Sequence, residues 1–170
     1  SNKTHDFTKF IKNILDDKKI VALDVGAQGG FNSDIFFPSK YNIFFEDILI
    51  EPIKSEAKKL INNKYIINKG LWSEKIKRKL FILENRLGSS SMYEPDKSVF
   101  DIHKIKKKDY ANFDVTKISE VECITLDDAL SKINIDNLDY LKIDTQGSEY
   151  ELLKGMKNYF PVLIRTAVHF

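Results

Sequence analysis

The stretch KIVALDVGAQGG, residues 19–30, sets how the rest of the chain is read. Residues 20–25 form a short apolar run rich in β-branched side chains and bounded by turn signals. That is the pattern of a strand buried on both faces of a parallel sheet. Gly26, Gly29 and Gly30 follow, and they let the backbone turn tightly and meet a ligand with no Cβ in the way. Strand, glycine turn and helix make the opening unit of a doubly wound nucleotide-binding sheet. The same glycines also serve a plain tight connection between a strand and a helix, so other segments must separate the two readings.

The pattern is D-x-G-x-x-G-G, not G-x-G-x-x-G. A carboxylate at Asp24 aimed at the turn would repel a pyrophosphate and suits a cationic or amine-bearing ligand. S-adenosylmethionine carries both a sulfonium and an α-amino group. The next buried strand, DILIE at residues 47–51, ends in Glu51, 21 residues after Gly30. There the doubly wound fold places the carboxylate that accepts both ribose hydroxyls. Two acceptor oxygens match a vicinal diol, and charge-assisted bonds are the strong ones. The competing reading of Glu51 is a surface residue favoured by the dipole of the following helix.

Further out, the chain keeps alternating. Residues 6–17 place Phe7, Phe10, Ile11, Ile14 and Leu15 at helical spacing, with Asp6 as N-cap, and predict an N-terminal helix packed over the sheet edge. Residues 31–37 predict a short crossover helix stopped by Pro38. A helix over 53–63, a strand over 64–71 and a short β segment over 79–83 follow. The stretch 84–96 (ENRLGSSSMYEPD), about 13 residues without periodicity, is long for a compact domain; it reads either as a functional loop or as a mobile surface loop. The basic run at 104–108 (KIKKK) reads as a solvated face or as an attractor of an anionic substrate such as an acidic or phosphorylated sugar. A strand over 120–124, a helix over 125–133 capped by Thr125, a buried strand over 138–144, a helix over 150–157 and a last strand over 161–168 complete the order. The expected fold is therefore α/β: a Rossmann-like doubly wound, mainly parallel sheet with helices on both faces and an inserted β segment. Because Phe170 falls inside or just past an apolar strand, a final hairpin of the sheet is expected to be missing from the chain.

With 170 residues, the chain is expected to form a single domain, 1–170, whose first 18 residues carry the N-terminal helix. The net charge of +2, from 27 basic and 25 acidic residues, gives no reason to expect a nucleic-acid partner. The lone cysteine, Cys123, can form no internal disulfide and has no Cys/His cluster for zinc, so a buried inert thiol and no metal are expected. No apolar run approaches about 18 residues, and no secretory signal is visible, so no membrane partner and a cytoplasmic location are expected.

Three segments together resemble the FkbM family of S-adenosylmethionine-dependent methyltransferases. LDVGAQGG at 23–30 is close to the family's L-D-V-G-A-N-x-G, and IEP at 50–52 follows at the second strand. The most distinctive segment is ITLDDALSKINIDNLDYLKIDTQGSEYELLKGM at 124–156. It is similar to the family's T-L-D-x-h, h-D-h-h-K-h-D-h-E-G-x-E and h-L-x-G signatures, where h is apolar. The chain departs from the pattern at Gln28, where the family usually has Asn, at Gln146, where it usually has Glu, and at Ala167, where it often has an acid.

The resemblance implies methyl transfer from S-adenosylmethionine to an oxygen, with a nitrogen as the alternative, of a small acceptor such as a sugar or glycan precursor. It implies a cofactor site formed by Asp24, Gly26, Ala27, Gln28, Gly30, Glu51, Pro52, Leu71 and Asp144. The donor methyl is already activated, so alignment of donor and acceptor carries most of the catalysis and can be worth about 7–11 kcal/mol. A hydroxyl acceptor must also lose its proton. Asp144, at the carboxyl end of a central strand, and His169, past the last strand, are the two candidate bases. Each has a plainer reading, Asp144 as an orienting group and His169 as an idle surface residue. The alternative for the whole chain is a non-catalytic Rossmann-like domain that binds a nucleotide or a partner, and the oligomeric state is open.

Overall fold

In the computed structural model of the protein, residues 6–28 and 39–166 are described. The expected crossover helix at 31–37, the glycines at 29 and 30, Ala167 and His169 lie outside them. Helix α1 (Thr8–Leu15) leads into β1 (Ile20–Val25). Strand β2 (Phe45–Ile50) is followed by the short α2 (Lys54–Ala57), a 3-10 turn and β3 (Tyr65–Ile67). Strands β4 (Gly70–Leu71), β5 (Ile76–Ile82) and β6 (Lys117–Ile124) form the inserted segment. Helix α3 (Leu126–Lys132), β7 (Tyr140–Ile143), α4 (Glu149–Lys154) and β8 (Leu163–Thr166) complete the order.

Five strands form one sheet in the order β3-β2-β1-β7-β8, and every neighbouring pair is parallel. The chain moves outward from β1 to β2 and β3, then returns to the other side of β1 for β7 and β8. The order thus reverses between β1 and β7, where an open α/β sheet leaves a crevice beyond its strand ends. A three-stranded sheet, β4-β6-β5, stands beside it. The overall arrangement is α/β with a mainly parallel sheet, compatible with the Rossmann-like expectation.

The alternation of each strand sorts its side chains. Val21, Leu23 and Val25 of β1, Ile48 and Ile50 of β2, and Leu141 and Ile143 of β7 join one core. Helix α3 adds Leu126, Ala129 and Leu130, and α4 adds Leu152. Ala27, Leu49 and Leu60 form a smaller cluster. The inserted sheet has its own core of Trp72, Leu80, Ile82, Met92 and Cys123. Cys123 is buried and its thiol is pushed up to about 11 by burial, which fits an inert role. Thr125 caps α3 through its side chain, which accepts from the Asp128 N–H at 3.1 Å.

Two expectations need correction. The N-terminal helix does not lay its apolar face on the core: Phe7, Phe10 and Ile14 are all more than half exposed. It is tied instead to the 3-10 turn at Ser39–Phe44, where the Phe7 N–H donates to the Tyr41 hydroxyl at 3.2 Å. Asp6 lies one residue before the cap and accepts from Thr8 N–H. The single strand expected over 64–71 is two strands. Asn68 breaks it: its side-chain amide donates to the carbonyls of Glu51 and Pro52, and the chain crosses there from the main sheet to the inserted one. The aperiodic stretch 84–96 opens with a 3-10 turn at Glu84–Ser89 and returns to β5 through a bridge between Ser91 and Phe81.

Candidate functional site

The carboxyl ends of β1, β2 and β7 are tied together by the backbone. Gly26 and Ala27 both donate to the Ile50 carbonyl, each at 3.1 Å, and Asp144 N–H donates to the Val25 carbonyl at 3.0 Å. Gly26 has φ +81, and a Cβ on it would lie 2.1 Å from the Asp144 carbonyl oxygen. Only glycine fits this crossing, both for its dihedral and for the approach of two main chains.

A cavity opens over this junction. Gly26, Gln28, Glu51, Pro52, Leu71 and Asp144, all expected site residues, line it. So do Leu87, Gly88, Ser90 and Met92, which brings the aperiodic stretch at 84–96 into the site. Gln28 reaches toward that stretch, since a Cβ on Gly88 would lie 3.2 Å from its Oε1. Asp144 accepts from the Gln146 side-chain amide at 3.3 Å, so the amide at position 146 directly orients this carboxylate. Gln146 itself has φ 55, a left-handed conformation that non-glycine residues seldom take. Glu149 does not face the cavity; its carboxylate accepts from Thr145 N–H, the Thr145 hydroxyl and Gly147 N–H and so holds the turn before α4.

Two expected residues lie elsewhere. Ala27 is fully buried in the small cluster with Leu49 and Leu60, and it meets the junction only through its N–H. Asp24 is fully buried and does not line the cavity. It forms an ion pair with Lys142 at 3.1 Å, and the two residues are register partners on adjacent strands. Lys142 lines the cavity, and the buried Asp24 behind it largely offsets its charge. The sequence reading missed Lys142. The available signal was a lysine near the carboxyl end of the buried strand 138–144 and an aspartate near the carboxyl end of the buried strand 20–25.

Glu51 sits one residue past β2, only 3 % exposed, with Oε1 accepting from Ile53 N–H at 2.8 Å. Burial is the main force raising its carboxyl from the ordinary 4.5 to about 7; the Ile53 bond opposes this, and the nearby carboxylates of Glu56 and Asp24 add to it. The folded protein therefore holds a proton on Glu51 that the unfolded chain releases above pH 4.5. This contribution to stability is full below about pH 4.5 and is lost as pH rises through about 7. At about 1.4 kcal/mol per pKa unit it amounts to roughly 3 kcal/mol. Glu51→Gln, which keeps the shape and an acceptor for Ile53, is expected to be more stable than the parent by roughly that amount near pH 8 and equal to it near pH 4. Urea unfolding at the two pH values measures this; equal stability near pH 8 would refute it.

Among the described residues no group of three or more His, Cys, Asp or Glu could hold a metal ion, and no helix is long and apolar enough to cross a membrane. No curated protein and no solved structure matches the chain in the corresponding comparisons. The family comparison matches the Methyltransferase FkbM domain over residues 24–170, from the buried aspartate of β1 through the whole of the site described above. With nearly the entire chain covered, this protein belongs to the FkbM methyltransferase family.

Proposed function

We propose that this methyltransferase uses S-adenosylmethionine and methylates an oxygen of a small molecule, a sugar or a glycan precursor. The observation that carries the reading is the meeting of Glu51 and Gly26 in one cavity at the point where the strand order reverses. Among the described residues, Glu51 Oε2 makes no hydrogen bond within the chain, so one carboxylate oxygen is left to meet a ribose hydroxyl. The bare backbone at Gly26 leaves room beside it. Ile50, Ile53 and Leu71 give that end of the cavity apolar walls suited to a purine ring.

Held beside Gly26 and Glu51, S-adenosylmethionine would supply an activated methyl group to an acceptor hydroxyl, whose proton must then be taken up by the protein or by solvent. Asp144 is the group we assign to take that proton, since its carboxylate lines the cavity and is oriented by Gln146. The other candidate base, His169, lies outside the described residues. The buried Asp24 largely offsets the charge of Lys142, so the lysine that lines the cavity does not strongly repel a sulfonium.

Above about pH 7, where Glu51 is ionised, Glu51→Ala is expected to weaken binding of S-adenosylhomocysteine by about 2–3 kcal/mol, since a hydrogen bond to a charged group carries roughly 1.5–3 kcal/mol. Calorimetry reads this directly, and unchanged affinity would remove the ribose role. The parent is also expected to gain about 2.7 kcal/mol of stability from S-adenosylhomocysteine at 100 times its dissociation constant, and nothing from NAD. Stabilisation by NAD instead would favour a plain nucleotide-binding domain.

A further inference from the structure

A second, larger groove lies behind the stretch at 84–96 and shares a wall with the cavity of Glu51 and Asp144. Residues alternate along that wall: Ser90 and Met92 face the cavity, while Ser89, Ser91 and Tyr93 line the groove. The seam is closed by polar contacts. The Ser91 hydroxyl donates to the Gln146 carbonyl at 2.7 Å, Tyr93 N–H donates to the Ser91 hydroxyl at 3.0 Å, and the Gln146 amide reaches Asp144 on the other side. Gln146 itself lines the groove.

The far wall is the segment at 97–113. It is built on Phe100, which is 4 % exposed and packs against the rings of Tyr110 and Phe113, both at 4.9 Å. This small aromatic core fixes a wall that presents His103, Lys104, Lys106 and Lys108 to the groove. Lys104 is held in the left-handed region, with φ 54. Strain of this kind concentrates at functional positions. Among the described residues, none of the three lysines has an ion-pair partner in the chain, although other lysines do. Arg86 adds a further cation at the groove, lying over the Phe113 ring. Three carboxylates share the lining. Asp96 is engaged by the Ser98 N–H and hydroxyl, Asp109 sits within the lysine wall, and Glu94 stands near the seam.

We infer that this groove is the acceptor site and that the acceptor is an acid sugar, carrying a phosphate or carboxylate held by Lys104, Lys106 and Lys108 while Glu94 accepts from its hydroxyls. The inference rests on the methyl-donor reading of the first cavity. Gln146 lies between the groove and Asp144, so a hydroxyl held against Gln146 is one side chain away from the assigned base, and an anion at the lysine wall fixes which hydroxyl that is. Flexible exposed lysines recognise charge without demanding one geometry, so both anion types remain within this class.

Calorimetry of the full chain with S-adenosylhomocysteine present tests it, using glucose 6-phosphate, glucuronic acid and glucose. At least one acid is expected to bind tenfold or more tightly than glucose, and the stronger of the two identifies the anion. The variant Lys104→Ser/Lys106→Ser/Lys108→Ser is expected to lose that advantage while binding S-adenosylhomocysteine as the parent does, which also shows that it folds. Equal binding of all three sugars, no binding of either acid, or an unweakened triple variant would overturn the acid-sugar assignment and leave the donor site standing. A parent that fails to bind S-adenosylhomocysteine would sink the donor reading first and this inference with it.

Discussion

Lys142→Met is expected to destabilise the protein by roughly 3–5 kcal/mol, the usual cost of breaking a buried ion pair by removing one partner. Asp24 has no exposed surface, and the Lys142 side chain keeps only 12 % of its own. A carboxylate so placed depends on nearby charge because water cannot solvate it. Methionine fills nearly the same volume, so packing loss contributes little and the measured effect reports the charge. Asp24→Asn/Lys142→Met removes both charges together and is expected to recover most of the lost stability. Chemical denaturation of the two variants separates the explanations. If the double variant is as unstable as Lys142→Met, the pair is not what the lysine contributes. The same change bears on the site, since Asp24 already raises the Glu51 carboxyl through space. Removing the lysine's opposing charge leaves Glu51 in a more negative field.

The parallel sheet could be read from the sequence because its central strands are buried and leave short, mostly apolar runs, as in residues 20–25 and 138–144, interrupted only by a few charged residues such as Asp24 and Lys142. Glu51 and Gly26 were legible for a related reason: a strand end fixes where the next residue goes, whatever the loop beyond it does. Partnerships across strands were less visible. Asp24 and Lys142 lie 118 positions apart, and only the register of β1 on β7 brings them opposite each other. The split of residues 64–71 turns on one side chain, Asn68, whose amide meets carbonyls that the sequence places no nearer than 16 positions away. The N-terminal helix misled in the opposite direction: its helical periodicity is real, but periodicity says which residues share a face and not what the face meets. The two walls of the groove behind residues 84–96 were each noticed in the sequence, as an aperiodic stretch and as a basic run, but segments with no regular pattern do not show that they face each other.

Gly26→Ala is expected to cost at least about 3 kcal/mol and to abolish binding of S-adenosylhomocysteine. Two penalties combine. An L-residue in the left-handed region costs roughly 1–2 kcal/mol, and overpacking a tight site typically costs about 1–3 kcal/mol. The second falls at the high end because the atom in the way is the Asp144 main-chain carbonyl, 2.1 Å from the added carbon, and not the end of a side chain that could swing aside. Asp144 cannot retreat cheaply, for its own N–H is bonded to Val25 on the next strand. Relief must come from parting β1 and β7 at the point where the cavity forms. Gly88→Ala makes the contrast, because the nearest atom to its added carbon is the terminal oxygen of Gln28 at 3.2 Å. That side chain can shift, and the change is expected to stay within about 1 kcal/mol. Thermal unfolding of the two variants, with and without S-adenosylhomocysteine, compares them directly. Similar stability for both would mean that the two strand ends are not locked together, and the site would lose the rigid junction on which Glu51 and Asp144 are mounted.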